Sequence, residues 1–281
     1  MKPAAFTYHR AATVDEAVAM LADMSVMSRP LAGGQSLVPM LNLRLAPVDR
    51  LIDLSRIAAL KEIGEEKDRI RYGALTTHAA FEDRRVPDAS NGLMPYVGAQ
   101  IAYRAVRTRG TIGGALALAD PAADWLTTVI ALEADILIAG PAGRRTVAAA
   151  DFAVGPYMTA LQDGEIVEAV AVPRRSASER WGHEKAARKT GEYAESMAIA
   201  LIDAARATAR LVLGAADGAP IVLARTAAEV AAGRTDDSLS PVIDAELAAC
   251  GRDFSPAKRR MHATVVLRAV RKAVLASGQR A

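Results

Sequence analysis

The stretch Leu31-Ala32-Gly33-Gly34-Gln35-Ser36-Leu37 leads out of an apolar run, and Gly110-Thr111-Ile112-Gly113-Gly114-Ala115 repeats its pattern further along the chain. We call these the first and second glycine loops. Adjacent glycines adopt backbone angles that other residues avoid, and they let the main chain come close to a ligand. Several backbone N–H groups can then point at one anion. Either loop alone is equally consistent with a plain turn, but two in one chain predict a pyrophosphate held between two lobes.

The composition is that of an ordinary globular protein. The chain has 281 residues, with 51% hydrophobic and 24% charged residues, a length that suits two or three domains. A net charge of +3 and an aromatic content of 4% provide no basic or stacking surface for nucleic acid. No apolar run approaches the roughly 18 residues of a membrane span, and the first residues lack a signal-peptide layout. We therefore expect a cytoplasmic protein without a membrane span.

Residues that bind metals are sparse. Cys250 is the only cysteine, which excludes an internal disulfide and an iron–sulfur cluster held by cysteines of this chain alone. The four histidines are scattered without metal-ligand spacing, so we expect no protein-bound metal site. The Walker A, G-x-S-x-G and G-x-G-x-x-G motifs are also missing. A nucleotide ligand would therefore bind outside the commonest nucleotide-binding folds.

The N-terminal residues predict a small β-α-β-α-β unit. Thr13 and Glu16 have the spacing of a capping box, with apolar residues at helical spacing behind them. Ser36 is a candidate N-cap for a short helix that runs to Leu45. Apolar strands are predicted at residues 5–8, 29–32 and 50–54. The first glycine loop then follows the carboxyl end of a strand, where α/β sheets usually bind ligands.

Beyond this unit the pattern predicts more strands and then a distinct C-terminal part. Asp120 and Pro121 favour a helix start, with Asp120 as N-cap of a helix over residues 122–132. Further strands are predicted at residues 69–74, 134–139, 145–148 and 165–172, the middle two forming a hairpin. The last third predicts an antiparallel meander at residues 184–187, 197–203 and 208–214. Three helices follow at residues 227–232, 242–250 and 256–275. The fold class is therefore α+β.

At the glycine loops the sequence resembles the FAD-binding medium subunit of the molybdenum hydroxylases. This family includes carbon monoxide dehydrogenase, quinoline oxidoreductase and the flavin domain of xanthine dehydrogenase. The resemblance covers nearly the whole chain and keeps the order of the loops. The matching segments are LAGGQSLVPMLNLRLAPVDRLIDLSRI from Leu31, RYGALTTHAAF from Arg71, RTRGTIGGALALADPAADW from Arg107 and EKAARKTGEYA from Glu184.

The resemblance implies a fold in which two α/β subdomains of the vanillyl-alcohol-oxidase (PCMH) type hold FAD between them. A third part, an antiparallel sheet with a helical bundle, follows in this family. On this sequence the three parts correspond to residues 1–56, 57–176 and 177–281. Ala115 departs from the family pattern, because relatives usually carry Asn or Ser after the second glycine pair. This change removes a side-chain hydrogen bond to FAD but leaves the main chain of the loop.

Carried over by position, the resemblance assigns cofactor-binding roles and no catalytic residue. The main chain of Ala32 to Ser36 and of Thr111 to Gly114 would wrap the pyrophosphate. Asp124 would bond a ribose hydroxyl, apolar side chains would lie beside the flavin or adenine, and Lys185 and Tyr193 would lie near the isoalloxazine ring. The full set is Leu31, Ala32, Gly33, Gly34, Gln35, Ser36, Leu37, Ile101, Gly110, Thr111, Ile112, Gly113, Gly114, Ala117, Asp124, Ile166, Val167, Lys185 and Tyr193.

Three of these side chains also have a purely structural interpretation. Asp124 would be favoured in the first turn of a helix by the helix dipole alone. Lys185 is also consistent with a surface lysine, and Tyr193 with a core tyrosine. Trp125 and Trp181 are interpreted as packing or interface residues.

The resemblance implies an electron-transfer role within a larger enzyme. Partner chains would carry the molybdenum site and two [2Fe–2S] clusters, in a heterotrimer commonly paired into a dimer of heterotrimers. This chain would receive the electrons on FAD and pass them to oxygen, a quinone, NAD or a carrier. The alternatives are a self-sufficient FAD-dependent oxidase of the vanillyl-alcohol-oxidase type and a cofactor-free scaffold subunit. The sequence of this chain does not specify the substrate of the complex, the acceptor or the face that meets the iron–sulfur subunit.

Overall fold

Three larger β-sheets and one two-stranded hairpin make up the β-structure of the described residues, and helices pack against the larger sheets. The computed structural model describes residues 2–278, with side chains to residue 276. This mixture of helices and strands agrees with the α+β class predicted from the sequence. Among the described residues, no helix combines the length and apolar character needed to cross a membrane.

The N-terminal sheet is parallel, with the strand order β1-β3-β2. Its elements are β1 (Thr7–Arg10), α1 (Val14–Ala22), β2 (Ser28–Leu31), α2 (Leu37–Asn42) and β3 (Arg50–Asp53). The first glycine loop connects β2 to α2, so it lies at the carboxyl end of a parallel strand as predicted. This position follows from the βαβ connection, which places such loops along one edge of the sheet.

The two predicted helix caps of this region have different outcomes. The Thr13 hydroxyl accepts the Glu16 N–H at 3.1 Å, and the Glu16 carboxylate accepts the Ala12 N–H at 2.7 Å. Ser36 occupies the N-cap position of α2, but its backbone is helical and its side chain makes no capping bond. Helix α2 also ends before Leu45. The prediction of a Ser36 cap and of a helix reaching Leu45 was therefore wrong.

The middle sheet is antiparallel, with the strand order β4-β5-β10-β6-β7. Its strands are β4 (Ile63–Glu65), β5 (Arg69–Gly73), β6 (Asp135–Gly140), β7 (Gly143–Ala148) and β10 (Ile166–Pro173). Between them lie α3 (His78–Glu82), α4 (Leu93–Gln100), α5 (Arg104–Arg107), α6 (Ile112–Leu118), α7 (Asp124–Ala131) and α8 (Ala149–Phe152). A small hairpin of β8 (Ala153–Gly155) and β9 (Met158–Thr159) precedes β10.

The start of α7 differs from the prediction. The helix begins at Asp124, and its N-cap position is Ala123, three residues after the predicted cap. Asp120 instead accepts the Ala122 N–H at 2.9 Å in the preceding turn. An Asp–Pro pair favours a turn as well as a helix start, and here the turn is the outcome. The shift places Asp124 itself in the first helical turn.

The C-terminal sheet is antiparallel with the order β11-β12-β13-β14, which contains the predicted three-stranded meander and a fourth strand that was not predicted. Its strands are β11 (Arg180–Ala186), β12 (Ser196–Asp203), β13 (Thr208–Gly214) and β14 (Ile221–Val222). The helices that follow are α9 (Ala224–Ala231), α10 (Ser240–Ala249) and α11 (Pro256–Gly278), and α11 packs on β11 and β12. Short 3-10 turns occur at Ala58–Lys61 and Asp237–Leu239.

The largest hydrophobic core lies under the middle sheet and contains both α6 and α7. Tyr72, Phe81 and Trp125 stack in sequence, with ring centroids 5.1 Å and 4.9 Å apart. Trp125 is almost completely buried, which agrees with its interpretation as a packing residue. This core fixes the second glycine loop, because the loop leads directly into α6.

Candidate cofactor site

A cavity of about 620 Å³ opens between the N-terminal sheet, the middle sheet and a loop of the C-terminal part. Both glycine loops line it, together with the turn around Ile101 and residues 191–193. Its volume lies within the range of about 300–1,000 Å³ that is common for small-molecule and cofactor sites. The sequence prediction that the two loops face one ligand is consistent with this arrangement.

The first glycine loop lines the cavity, and its backbone donors are unused within the described part of the chain. The six N–H groups of residues 32–37 have no hydrogen-bond acceptor among residues 2–278. Carbonyl groups of the loop are used, since Gly34 and Ser36 accept the N–H groups of Val38 and Met40. Partly buried N–H groups without an acceptor are rare in native proteins because they cost free energy. The arrangement therefore calls for an acceptor supplied from outside the chain.

The two glycines of this loop serve different purposes. Gly34 has a φ of +74°, a conformation that residues with a Cβ rarely adopt. Gly33 has an ordinary φ, but a Cβ there would lie 2.0 Å from the Arg109 carbonyl oxygen and 2.9 Å from the Gly110 Cα. Gly34 thus sets the course of the backbone, whereas Gly33 lets the first glycine loop touch the second.

Most backbone N–H groups of the second glycine loop donate to acceptors within the chain. The N–H groups of Gly110, Ile112 and Gly113 donate to the carbonyl oxygens of Val106, Thr76 and Ala74, respectively. Gly114 donates to the Thr111 hydroxyl and Ala115 to the Thr111 carbonyl oxygen, and the five distances are 2.7 to 3.1 Å. Among the amides of residues 110–115, only that of Thr111 lacks an acceptor in the described part of the chain. The contact of the Thr111 to Gly114 main chain with a pyrophosphate therefore stays a prediction, and the Thr111 N–H is the amide donor that this loop leaves available in the described chain.

The glycines of the second loop are required by packing. A Cβ on Gly113 would lie 2.5 Å from the Ala74 Cβ and 2.8 Å from its carbonyl oxygen. Gly110 leaves room for the His78 ring, since a Cβ there would lie 2.6 Å from His78 Nε2. Such distances are shorter than any tolerated contact, so the loop depends on glycine for its position against β5 and α3.

Most of the predicted site residues line the cavity. They are Leu31, Ala32, Gly33, Gly34, Gln35, Ser36, Leu37, Ile101, Gly110, Thr111, Gly113, Gly114, Ala117, Asp124, Ile166, Val167 and Tyr193. Ile112 does not line it, because its side chain is fully buried in the core and its N–H donates to Thr76. Lys185 also lies outside the wall and reaches the cavity only through Asp124.

Asp124 and Lys185 form a buried ion pair. The Lys185 Nζ donates to both carboxylate oxygens of Asp124, at 2.9 and 3.1 Å, and the two side chains are 11% and 6% exposed. Burial raises the pKa of Asp124, while the Lys185 charge opposes this shift. The pair joins α7 to β11 and acts as one unit. The interpretation of Lys185 as a surface lysine was therefore wrong.

The C-terminal wall of the cavity is fixed by a contact with the turn before α5. Ile101 and Gly191 form a parallel β-bridge, and a Cβ on Gly191 would lie 2.7 Å from the Ala102 carbonyl oxygen. Arg107 donates to the Ile101 and Ala102 carbonyl groups and so holds the turn. Tyr193 follows this contact and remains 60% exposed at the cavity, which contradicts the interpretation of Tyr193 as a core residue.

Several lining residues were not predicted from the sequence. Among them are His78, Tyr103 and Leu161. His78 lies in the matching segment that begins at Arg71, but the sequence offered no reason to assign it a role. Burial, with a smaller contribution from the Arg107 charge, lowers the pKa of His78 to about 4. Within residues 2–278, no cluster of three or more His, Cys, Asp or Glu side chains has the arrangement of a metal site.

The sequence of this chain matches that of known flavoprotein subunits. A profile of the family described as the FAD binding domain in molybdopterin dehydrogenase matches residues 4–175. The carbon monoxide dehydrogenase medium chain of Hydrogenophaga pseudoflava is 35% identical over 254 residues, covering 89% of this chain and 88% of that protein. The nicotine 6-hydroxylase medium subunit of Paenarthrobacter nicotinovorans is 34% identical over 78% of this chain and 77% of its own length.

The chain belongs to the family of FAD-binding domains in molybdopterin dehydrogenases. This confirms the resemblance stated from the matching segments. FAD is therefore the cofactor, and the chain is the FAD-binding part of an oxidoreductase, as predicted.

Solved structures extend the similarity over the whole FAD-binding chain. One chain of the Hydrogenophaga pseudoflava carbon monoxide dehydrogenase that lacks the Mo-pyranopterin moiety superimposes with a TM-score of 0.91 and 33% identity. The alignment covers 98% of this chain and 99% of that one. A chain of quinoline 2-oxidoreductase from Pseudomonas putida 86 gives a TM-score of 0.87 at 32% identity, covering 99% of both chains. The similarity thus includes the C-terminal sheet, which lies beyond the profile match.

The residues around the cavity fit FAD. The dinucleotide carries a pyrophosphate, whose oxygens are acceptors for the six unpaired N–H groups of the first glycine loop. The apolar side chains of Ile101, Ile166 and Val167 suit flat aromatic rings, and the pair at Asp124 offers carboxylate oxygens to a hydroxyl group. Close backbone approach is available at Gly34, where no side chain intervenes.

Proposed function

We propose that this chain is the FAD-carrying electron-transfer subunit of a molybdenum-containing hydroxylase or dehydrogenase. Bound FAD supplies a group that exchanges electrons singly or in pairs, which suits it to link [2Fe–2S] clusters of a partner subunit to an external acceptor. The observation that carries this proposal is the run of six backbone N–H groups without an acceptor in the described chain, all in residues that line a dinucleotide-sized cavity. No residue of this chain is assigned a role in oxidising the organic substrate.

In this proposal the first glycine loop is the main pyrophosphate site. Its amides, from Ala32 to Leu37, donate to phosphate oxygens and replace the water that would otherwise hydrate them. The second glycine loop contributes the Thr111 N–H and a close, side-chain-free surface at Gly114. Because Gly33 packs directly on Arg109 and Gly110, the two loops keep a fixed separation around the phosphates.

The remaining side chains orient the two ends of the dinucleotide. We propose that Asp124 accepts a hydroxyl group of FAD and that Lys185 keeps the Asp124 carboxylate in place. Tyr193 covers one side of the cavity near the ring system, held there by the bridge between Ile101 and Gly191. Ile101, Ile166 and Val167 exclude water from the rings. When both Asp124 and Lys185 are ionised, the pair adds no net charge beside the flavin.

The domain layout and the assembly are part of the same proposal. We propose two α/β subdomains of the vanillyl-alcohol-oxidase type, residues 1–56 and 57–176, and a C-terminal part over residues 177–281. The medium chains and subunits named above belong to larger enzymes, which supports a large molybdopterin subunit and a small [2Fe–2S] subunit as partners. A dimer of heterotrimers and a cytoplasmic location complete the proposal.

The test compares the isolated chain with the assembled complex. The isolated chain should bind one FAD, be reduced by dithionite and oxidise no organic substrate. Co-expressed with its partners, it should co-elute with molybdenum and iron, and its visible flavin absorbance should bleach when the substrate is added anaerobically. Substrate oxidation by the isolated chain would instead support a self-sufficient oxidase, and a colourless chain that binds no FAD would support a scaffold.

A matched control uses a complex whose medium subunit lacks FAD. This complex should still pass electrons from the substrate to an artificial dye that accepts them from the iron–sulfur clusters. Its reduction of the natural acceptor should be lost and should return when FAD is added back. Equal loss with both acceptors would show that the chain is needed for assembly and not for electron transfer.

A further inference from the structure

His78 occupies the wall of the cavity directly beneath the second glycine loop. It is the first residue of α3 and is 5% exposed, and its backbone N–H donates to the Gly110 carbonyl oxygen at 3.0 Å. A neighbouring β-bridge between Thr77 and Thr111 ties the two segments together. The imidazole therefore moves with the loop and lies at a fixed position beside it.

The tautomer of His78 is set by Trp125. The indole Nε1–H donates to His78 Nδ1 at 3.0 Å, and an indole nitrogen can only donate. Nδ1 must then supply a lone pair, so the proton of the neutral ring lies on Nε2. Burial lowers the pKa of this imidazole to about 4, so the ring is neutral near pH 7.

The Nε2–H of His78 has no acceptor among residues 2–278. The ring edge that carries it lies against Gly110, where a Cβ would be 2.6 Å from Nε2 and 2.8 Å from Cδ2. A ring N–H at the cavity wall without a partner in the described chain can donate to a ligand, whereas an apolar ring would fill the same space and offer no hydrogen bond. His78 also lines the cavity, so an acceptor bound there is within the reach of this edge.

We propose that His78 is a cofactor-binding residue that donates a hydrogen bond from Nε2 to an oxygen of FAD beside the second glycine loop. This inference rests on the proposed function, since it requires FAD in this cavity. The His78 side chain would also supply a donor beside the second loop, whose own N–H groups are mostly bonded within the chain. Trp125 acts through His78 and is a positioning residue.

Two amide variants separate a direct contact from a packing role. His78→Gln keeps an N–H donor near the position of Nε2, whereas the shorter amide of His78→Asn reaches only the position of Nδ1. We expect FAD binding, measured by titration of flavin fluorescence, to weaken about tenfold or more in His78→Asn and less than about threefold in His78→Gln. Equal weakening in the two variants would overturn the proposal.

A second measurement observes the wild-type protein and uses a variant only to assign its signals. In wild-type protein labelled with ¹⁵N-histidine, the His78 signals are identified as those missing from His78→Gln. Addition of FAD should leave the Nε2–H tautomer unchanged and should shift the Nε2 and Hε2 resonances. Unchanged resonances with FAD fully bound would contradict the contact while leaving the proposed function intact. Failure of the wild-type chain to bind FAD at all would instead overturn the proposed function.

Discussion

The two glycine loops look alike in sequence and differ in what their backbones do. In the first loop, the six consecutive N–H groups of residues 32–37, which line the cavity, have no acceptor in the described chain, and Gly34 has a φ of +74°. In the second loop, the N–H groups of Ile112 and Gly113 already donate to carbonyl oxygens in the segment directly after β5, and Gly113 has no room for a Cβ. A glycine pair can therefore serve either a ligand or the packing of the chain.

This difference separates two ways in which a variant would lose FAD. Damage to the first loop should remove the ligand contacts and leave most of the fold. Damage to the second loop should shift α6 away from β5 and weaken the middle core itself. Stability of the FAD-free protein and affinity for FAD are thus the two quantities to measure together.

The largest effect is expected for Gly113→Val. The new side chain would meet the Ala74 backbone and Cβ, and neither can move without displacing β5. We expect a loss of about 3 kcal/mol or more in the free energy of unfolding of the FAD-free protein. Urea unfolding followed by far-UV circular dichroism measures this loss. A variant of native stability that merely fails to bind FAD would show that the second loop serves the ligand as the first does.

A smaller effect on stability is expected for Gly34→Ala, with a specific effect on FAD. Alanine at a φ of +74° costs about 1–2 kcal/mol, and the new Cβ would lie 3.1 Å from Val38 Cγ2. Relief of this strain would reorient the N–H groups that follow, so we expect FAD affinity to fall about tenfold or more. Both values come from urea unfolding and flavin titration of the same preparation.

Gly251→Ala is the matched control for Gly34→Ala. Gly251 has a φ of +76°, lies between α10 and α11, and has no atoms within 4 Å of a Cβ position. It should lose similar stability and retain FAD affinity. If both variants bind FAD normally, the orientation of the first-loop amides does not determine cofactor binding, and the comparison between the loops fails.

The smallest effect is expected for Thr111→Val. The Thr111 hydroxyl caps α6 by accepting the Gly114 N–H at 3.1 Å, and loss of such a cap costs about 1 kcal/mol. Because the Thr111 N–H is retained, FAD affinity should change less than about threefold. Thr13→Val removes the same 3.1 Å cap from α1, away from the cavity, and should cost similar stability. A selective fall in FAD affinity for Thr111→Val would show that the hydroxyl itself contacts the cofactor.

Local sequence patterns determined much of the element order. The capping box at Thr13 and Glu16, the hairpin across residues 134–148 and the C-terminal meander are set by near neighbours in sequence, and the structure contains all three. Where two local outcomes had similar free energies, the sequence did not decide between them. The Asp120–Pro121 pair forms a turn before α7, and the hydroxyl of Ser36 caps no helix.

The sequence by itself also predicted a cofactor site at the two glycine loops, because both glycine pairs and their spacing can be read directly from the chain. Only the tertiary structure decided which backbone N–H groups remain available, since the acceptors at Ala74 and Thr76 come from another part of the chain. It likewise paired Lys185 with Asp124 and set the His78 proton through Trp125. Whether a backbone N–H finds an acceptor depends on residues that are distant in the sequence. Local motifs can therefore indicate a site, but the folded structure decides which of its N–H groups remain free to bind a ligand.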